Sequence, residues 1–202
     1  MKIIHILYLT EFAGTEKVCV DLCNEMSKKN EMYLLCNKNG FNGEVITDYL
    51  DKRVNFIEIP TNKNRFNPFY LYKLARIIKQ IKPDIIHTHN TKFLEISKYM
   101  QIFLKRKIPL VFTKHNWFFK KKIKLANLCV GISPETLCFV NKQMGGGRNI
   151  LIPNGICFKT PNKILNESDF NIVGVGRLEE HKNFQLAIMA LSKVRFDFNC
   201  IF

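Results

Sequence analysis

Short runs of branched aliphatic residues alternate along this chain with longer segments whose apolar residues recur every three or four positions. The apolar runs lie at 2–9, 32–36, 54–59, 84–89, 110–113, 128–132 and 150–152. Near-continuous apolar runs belong to strands covered on both faces, and parallel strands need a crossover segment between them, usually a helix. The pattern therefore predicts an α/β fold with about seven strands in one parallel sheet. Helices are expected over 16–28, 68–81, 92–104 and 134–143, with Asn67-Pro68 and Ser133-Pro134 supplying N-cap and first-turn residues for two of them.

After Asn154-Gly155 the character changes: 156–169 is polar, contains Pro161, and reads as a linker. The pattern then restarts with a strand over 170–176 ending in a glycine turn, a helix over 183–193 and a further strand from 196. One strand–helix–strand piece cannot bury both faces of a parallel sheet. The expected organisation is a domain over 1–155, a linker over 156–169, and the incomplete start of a second domain over 170–202. At 202 residues, 47% hydrophobic and 24% charged, the composition is globular rather than disordered. No apolar stretch reaches the roughly 18–20 residues of a spanning helix, and the apolar N-terminus lacks a cleavage-site region, so neither an integral membrane nor a secreted protein is expected. Seven cysteines without a Cys-x-x-Cys pair point to reduced, buried thiols rather than a disulfide scaffold or zinc ribbon.

The formal charge of +14 calls for a polyanionic partner: nucleic acid, anionic lipid or a phosphorylated substrate. Between Lys105 and Lys124 there is no acidic residue, and the basic residues flank Trp117-Phe118-Phe119. Basic residues beside aromatics suit an anionic bilayer surface, which assigns Trp117, Phe118, Lys120, Lys121 and Lys122 to membrane contact. The competing reading is a solvated basic loop over a partly buried Trp117. No helix-turn-helix, zinc-finger or RNP pattern accompanies the segment, so nucleic acid is not expected as the partner.

Three places can carry chemistry. Gly14 follows the first strand and opens a helix, where backbone N–H groups and the helix dipole favour an anion, although a glycine needed only for a tight turn explains it as well. His87 and His89 stand at i and i+2, hence on one face near the carboxyl end of the fourth strand, and His115 ends the next strand. Polar lining of a substrate crevice fits these three imidazoles better than a metal site, because no carboxylate or thiol is spaced to complete a ligand set. The third place is Gly174-Val175-Gly176-Arg177-Leu178-Glu179-Glu180-His181-Lys182-Asn183. Arg177 and Lys182 around a strand-to-helix turn suit a diphosphate, while Glu179 in place of a third glycine argues against NAD or FAD.

Taken in order, these segments resemble the retaining GT-B glycosyltransferases of family 4 over nearly the whole chain. Ala13-Gly14-Thr15-Glu16-Lys17 resembles the glycine loop, Pro83-Asp84-Ile85-Ile86-His87-Thr88-His89 the Pro-Asp-hydrophobic-His-x-His strand, and Thr113-Lys114-His115 the next strand end. Gly131-Ile132-Ser133 and Ile152-Pro153-Asn154-Gly155-Ile156 resemble the late first-domain segments, and 174–183 the Gly-Arg-Leu-x-x-x-Lys-(Gly/Asn) signature. The resemblance implies a Rossmann-like acceptor domain facing a second Rossmann-like, donor-binding domain, with sugar transfer that retains anomeric configuration. It implies His115 at the reacting centre, Gly14, Arg177 and Lys182 on the donor diphosphate, and Thr15, His87, His89 and Asn90 on the acceptor side. A nucleotide-diphospho-sugar would be the co-substrate, with no metal and no further cofactor, and a lipid-linked or glycan acceptor would place the enzyme on the inner face of the cytoplasmic membrane. The family's Glu-x₇-Glu motif has no counterpart up to Phe202. This chain is therefore expected to be the front part of an enzyme and a poor catalyst alone, possible partner to a separately encoded donor half. The other reading is a non-catalytic basic α/β module for anionic lipid, phosphosugar or nucleic acid.

Overall fold

The computed structural model describes residues 1–40, 43, 45–60, 64–115, 121–144, 148–156, 171–176, 179–195 and 198–201. The chain divides into two compact units, Met1–Ile156 and Cys157–Phe202. The first is built on β1 (Lys2–Ile6), β2 (Glu31–Cys36), β3 (Val54–Glu58), β4 (Ile85–Thr88), β5 (Leu110–Lys114), β6 (Leu128–Gly131) and β7 (Asn149–Leu151). These form one sheet in the order β3-β2-β1-β4-β5-β6-β7. Every pairing is parallel. The helices are α1 (Gly14–Met26), α2 (Pro68–Ile81), α3 (Thr91–Met100) and α4 (Pro134–Met144), with 3₁₀ turns at Ile46–Tyr49, Gln101–Phe103 and Lys121–Leu125.

Strand order reverses between β1 and β4, so right-handed crossovers send α1 to one face of the sheet and α2, α3 and α4 to the other. Alternation along the strands matches this division. Ile4, Ile6, Ile86, Leu110 and Phe112 pack with Leu71, Leu74 and Ile78 of α2 and Leu94 and Ile96 of α3. Ile3 and Leu7 point the other way and pack with Cys19, Val20 and Cys23 of α1. The three cysteines of this layer at 19, 23 and 36 are buried free thiols, whereas Cys138 and Cys200 are exposed. No described helix is long and apolar enough to cross a membrane.

Local signals explain the element ends. The Asn67 carboxamide oxygen accepts from the N–H groups of Phe69 and Tyr70, with Pro68 behind it, and the Ser133 hydroxyl accepts from Thr136 N–H. The third helix is shorter than the sequence pattern predicts. After Met100 the chain tightens into Gln101–Phe103, because the Gln101 amide both accepts from Ile108 N–H, at 2.8 Å, and donates to Ile108 C=O, at 3.1 Å, pinning the entry to β5. At the end of β6 a Cβ on Gly131 would lie 2.6 Å from the Leu137 backbone nitrogen, so only glycine lets α4 turn back this closely.

The second unit holds β8 (Asn171–Val173), α5 (Phe184–Leu191) and β9 (Asn199–Ile201), with β8 and β9 pairing in parallel. None of its described residues is buried, and Leu186, Ile188 and Met189 of α5 are more than half exposed. Two strands and one helix do not enclose a core. The expected linker, 156–169, lies outside the described residues except for Ile156. Burial sets the expected stability map. Leu94→Ala, at a fully buried position, should cost about 2–5 kcal/mol in denaturant titration. Leu186→Ala, at a residue 63% exposed, should leave the main transition within about 0.5 kcal/mol.

Candidate functional site

In an open parallel sheet the crevice for a ligand lies beyond the carboxyl ends of the strands where the order reverses. Here that point is the β1/β4 junction, and the register sets His5 beside His87. His5, His87, His89, Thr113 and His115 share the strand parity that faces away from α2 and α3. The face under α2 and α3 is apolar apart from Thr88 and Lys114 near the strand ends, whereas its reverse carries the histidines at the edge where the loops begin.

The four imidazoles form a continuous stack. His5 and His87 ring centroids are 4.5 Å apart, His87 and His89 4.5 Å, and His89 and His115 5.3 Å, the last two pairs with planes 27° apart. Nitrogens are paired along it: His5 Nδ1 lies 3.0 Å from His89 Nε2, and His89 Nδ1 lies 3.0 Å from His115 Nε2. His87 Nε2 is 2.7 Å from the Thr113 hydroxyl. Burial pushes His5 down to about 4, and burial followed by the Lys114 charge brings His115 to about 4. His87 and His89 lie well below the ordinary imidazole value, first through burial and then through the neighbouring rings. All four are neutral at pH 7, each with one donor and one acceptor nitrogen, so His5, His89 and His115 form one hydrogen-bonded row, with His87 turned to Thr113.

The same row bears on metal binding. His5, His87 and His89 each place a ligand atom within 4.8 Å of the others, as do His5, Cys19 and Cys23. A thiol is therefore near the histidines after all: Cys19 Sγ lies 3.6 Å from His5 Nδ1, a proximity invisible until α1 folds onto β1. Burial holds the Cys19 thiol well above its usual pKa, so it is not a thiolate. Each of these histidines also has a hydrogen-bond partner: His5 and His89, and His89 and His115, are paired through ring nitrogens, while His87 Nε2 is on the Thr113 hydroxyl.

Gly14 and Thr15 form the first turn of α1, in the segment that follows β1, where the Glu16 carboxylate accepts from Ala13 N–H at 3.3 Å. A Cβ on Gly14 would meet nothing within 4 Å, and Gly43 is the glycine with positive φ among the described residues. Turn geometry therefore does not demand glycine at position 14, and the space a side chain would fill there is open. Asn90 is committed locally, its carboxamide oxygen accepting from Phe93 N–H at 2.9 Å to cap α3. Glu95, one turn further and 1% exposed, pairs with both Arg65 and Lys122. Lys122 is thus bound into a buried-carboxylate triad, which the assignment to a membrane surface did not foresee. Trp117, Phe118 and Lys120 lie outside the described residues, and of Lys121 the structure describes only its backbone in the 3₁₀ turn.

In the second unit, Arg177 lies outside the described residues. Lys182 is exposed at the end of the 3₁₀ turn Glu180–Lys182 and lines a hollow with Gly174, Val175 and Phe184. Asn183, which follows it, has φ 54° and ψ 32°, a left-handed conformation suited to Asn or Gly. That explains the residue type at this point of the signature.

The sequence profile of Glycosyltransferase Family 4 matches residues 12–157, which includes the start of α1, His87, His89 and His115, and β2 to β7. The chain belongs to glycosyltransferase family 4. Solved glycosyltransferases share the fold. The chain superposes on Anabaena HepE, crystallised with UDP and glucose, with a TM-score of 0.71 at 16% identity, covering 100% of this chain and 60% of that one. A glycosyltransferase from Rickettsia africae gives 0.77 at 18% identity, covering 99% and 59%, and the lipopolysaccharide outer core galactosyltransferase WaaB gives 0.65 at 16%, covering 100% and 60%. This family 4 chain therefore spans about 60% of the length of these relatives and carries the Rossmann-like N-terminal domain of the GT-B fold. No curated protein matches the sequence.

His5, Cys19, Thr113, Arg65 and Glu95 were not singled out from sequence. The available signal was parity: His5 occupies the first strand as His87 does the fourth, but only strand order makes them neighbours.

The stack makes stability depend on pH with a definite sign. Unfolded imidazoles bind protons near 6.5, whereas His5 and His115 in the native chain do so only near 4. Between those values the unfolded state holds more protons, so stability falls as pH drops from 6.5 towards 4 and the loss levels off below. Urea titrations at pH 7, 6 and 5 should show this decline, and His115→Asn should reduce its slope. A slope unchanged in the variant would remove His115 from the set of low-pKa groups.

Proposed function

We propose that this chain is the acceptor-side part of an enzyme that transfers a sugar from a nucleotide-diphospho-sugar, with retention and without a metal, to a lipid-linked, lipopolysaccharide-type or polysaccharide acceptor. The observation that carries the reading is the position of neutral His115, held by His89 at the carboxyl edge of the sheet, in a family 4 chain. Support for the donor comes from HepE, whose crystal structures hold UDP and UDP-glucose.

The physical roles follow from charge. Breaking the glycosidic bond builds negative charge on the departing diphosphate, and fixed cations and backbone N–H groups stabilise charge that develops in the transition state. Lys182 and Arg177 would meet that charge, and the Gly14 turn would offer N–H groups and the helix dipole. His115, neutral and held by His89, would hydrogen-bond sugar hydroxyls at the reacting centre, with His87, His89, Asn90 and Thr15 shaping the acceptor side. A lipid-borne acceptor and the excess of basic charge favour residence on the cytoplasmic face of an anionic membrane.

For this chain the test is thermal: UDP or UDP-glucose at millimolar concentration should raise the melting temperature, and Lys182→Ala should diminish the rise. In an enzyme carrying the complete donor domain, Arg177→Ala or Lys182→Ala should lower kcat by about 10²-fold or more while acceptor KM changes little. Unchanged turnover in both variants would sink the diphosphate assignment.

A further inference from the structure

Residues 59–134 carry 16 lysines and arginines against two acidic residues, so this stretch alone holds an excess equal to the +14 of the whole chain. Of the two acids, Glu95 is buried against Arg65 and Lys122, and Asp84 is exposed, accepting the Lys2 backbone N–H at 2.8 Å. The charge is carried in large part by the outer side of α2 and the segment following α3. Lys73, Arg76 and Lys79 recur along α2 at the spacing of one helix face, and Lys105 and Lys107 are exposed just beyond the 3₁₀ turn. No described residue forms an ion pair with any of these five.

Large apolar side chains lie among these cations. Phe69 and Ile102 are each 79% exposed, Phe66 57% and Tyr72 52%. They are ordered rather than scattered, because ring contacts stitch the seam between the elements. Phe66 meets Tyr99 of α3 at 5.2 Å, and Tyr72 meets Phe103 edge-on at 5.8 Å. Where the seam ends, Ile78, Phe103, Leu104 and Ile108 floor a groove of about 320 Å³ whose lining also includes Lys79, Lys82, Lys105 and Arg106, with Asp84 as its one acid. Single exposed apolar residues are normal on any protein, but a contiguous apolar seam bordered by unpaired cations is not.

We propose that the α2 face and the Gln101–Phe103 turn form the surface on which the protein docks to an anionic phospholipid bilayer, with Phe69 and Ile102 entering the headgroup–acyl boundary and the lysines facing lipid phosphates. The proposal rests on the membrane placement given under Proposed function and names the residues that achieve it, which are other than Trp117 and its neighbours in sequence. Charge complementarity identifies the occupant: basic residues are drawn to an anionic leaflet, and exposed aromatic and aliphatic side chains gain from the apolar boundary, which a nucleic acid backbone lacks.

The experiment is co-sedimentation of the full chain with phosphatidylglycerol-containing vesicles and with phosphatidylcholine vesicles. Binding is expected to the anionic vesicles alone and to weaken with salt. Phe69→Ser with Ile102→Ser, and separately Lys73→Glu with Lys79→Glu, should each weaken binding at least about 10-fold with an unchanged melting temperature, since these side chains are exposed. A Phe69→Trp reporter in a Trp117→Phe background should be quenched by brominated acyl chains. If both double variants bind like the parent while Trp117→Ala with Phe118→Ala does not, the membrane reading stands and this face is wrong. Absence of binding to every vesicle, or retention on single-stranded RNA instead, overturns both.

Discussion

Parallel pairing of β1 with β4 governs the rest of the molecule. Because strand order reverses there, the crossovers on either side go to opposite faces, and the gap between them opens at the carboxyl edge of the sheet. The same pairing brings His5 level with His87, so one face of the junction cannot be apolar. Burying polar rings is tolerable only if they are hydrogen-bonded, and the run from His5 through His89 to His115 meets much of that requirement internally. The cost is a cluster that must stay neutral. The gain is that His115, at the exposed end, is held by a partner that is itself held.

Two kinds of electrostatics coexist in the first unit. At the sheet edge the histidines are neutral, with the buried Lys114 as a charge beside His115. On the outer side of α2 and after α3, full positive charges stand in solvent beside aromatic rings. Glu95 lies between these regimes. Buried in α3 and paired with Arg65 and Lys122, it ties the approach to α2 and the turn after β5 to one carboxylate. Removing one partner of a buried pair leaves an uncompensated charge, which makes this triad a structural clamp rather than a surface ornament.

Much of the fold was legible in sequence because its determinants are local and periodic. Seven apolar runs became seven strands, and Asn67-Pro68 and Ser133-Pro134 became helix starts. Differences arose where a tertiary contact overrode the local pattern. The helix expected over 92–104 gives way to a 3₁₀ turn because the Gln101 amide reaches the backbone of Ile108, seven residues on. The candidate site was legible in part. His87, His89 and His115 come together as their strand positions imply, whereas the Cys19 thiol joins His5 through helix packing that no spacing rule encodes.

The sequence by itself determined the α/β class, the helix and strand succession, the surplus of cations and the motifs that mark family 4, since composition and short-range periodicity carry all of these. Only the tertiary structure decided which strands are neighbours, that four histidines form one stack with low proton affinity, that Lys122 answers a buried Glu95, and that the cations of α2 and of the segment after α3 border a single aromatic seam. The physical reason is that pKa values, ion pairing and surface patches depend on distances between residues far apart in the chain, and strand order sets those distances.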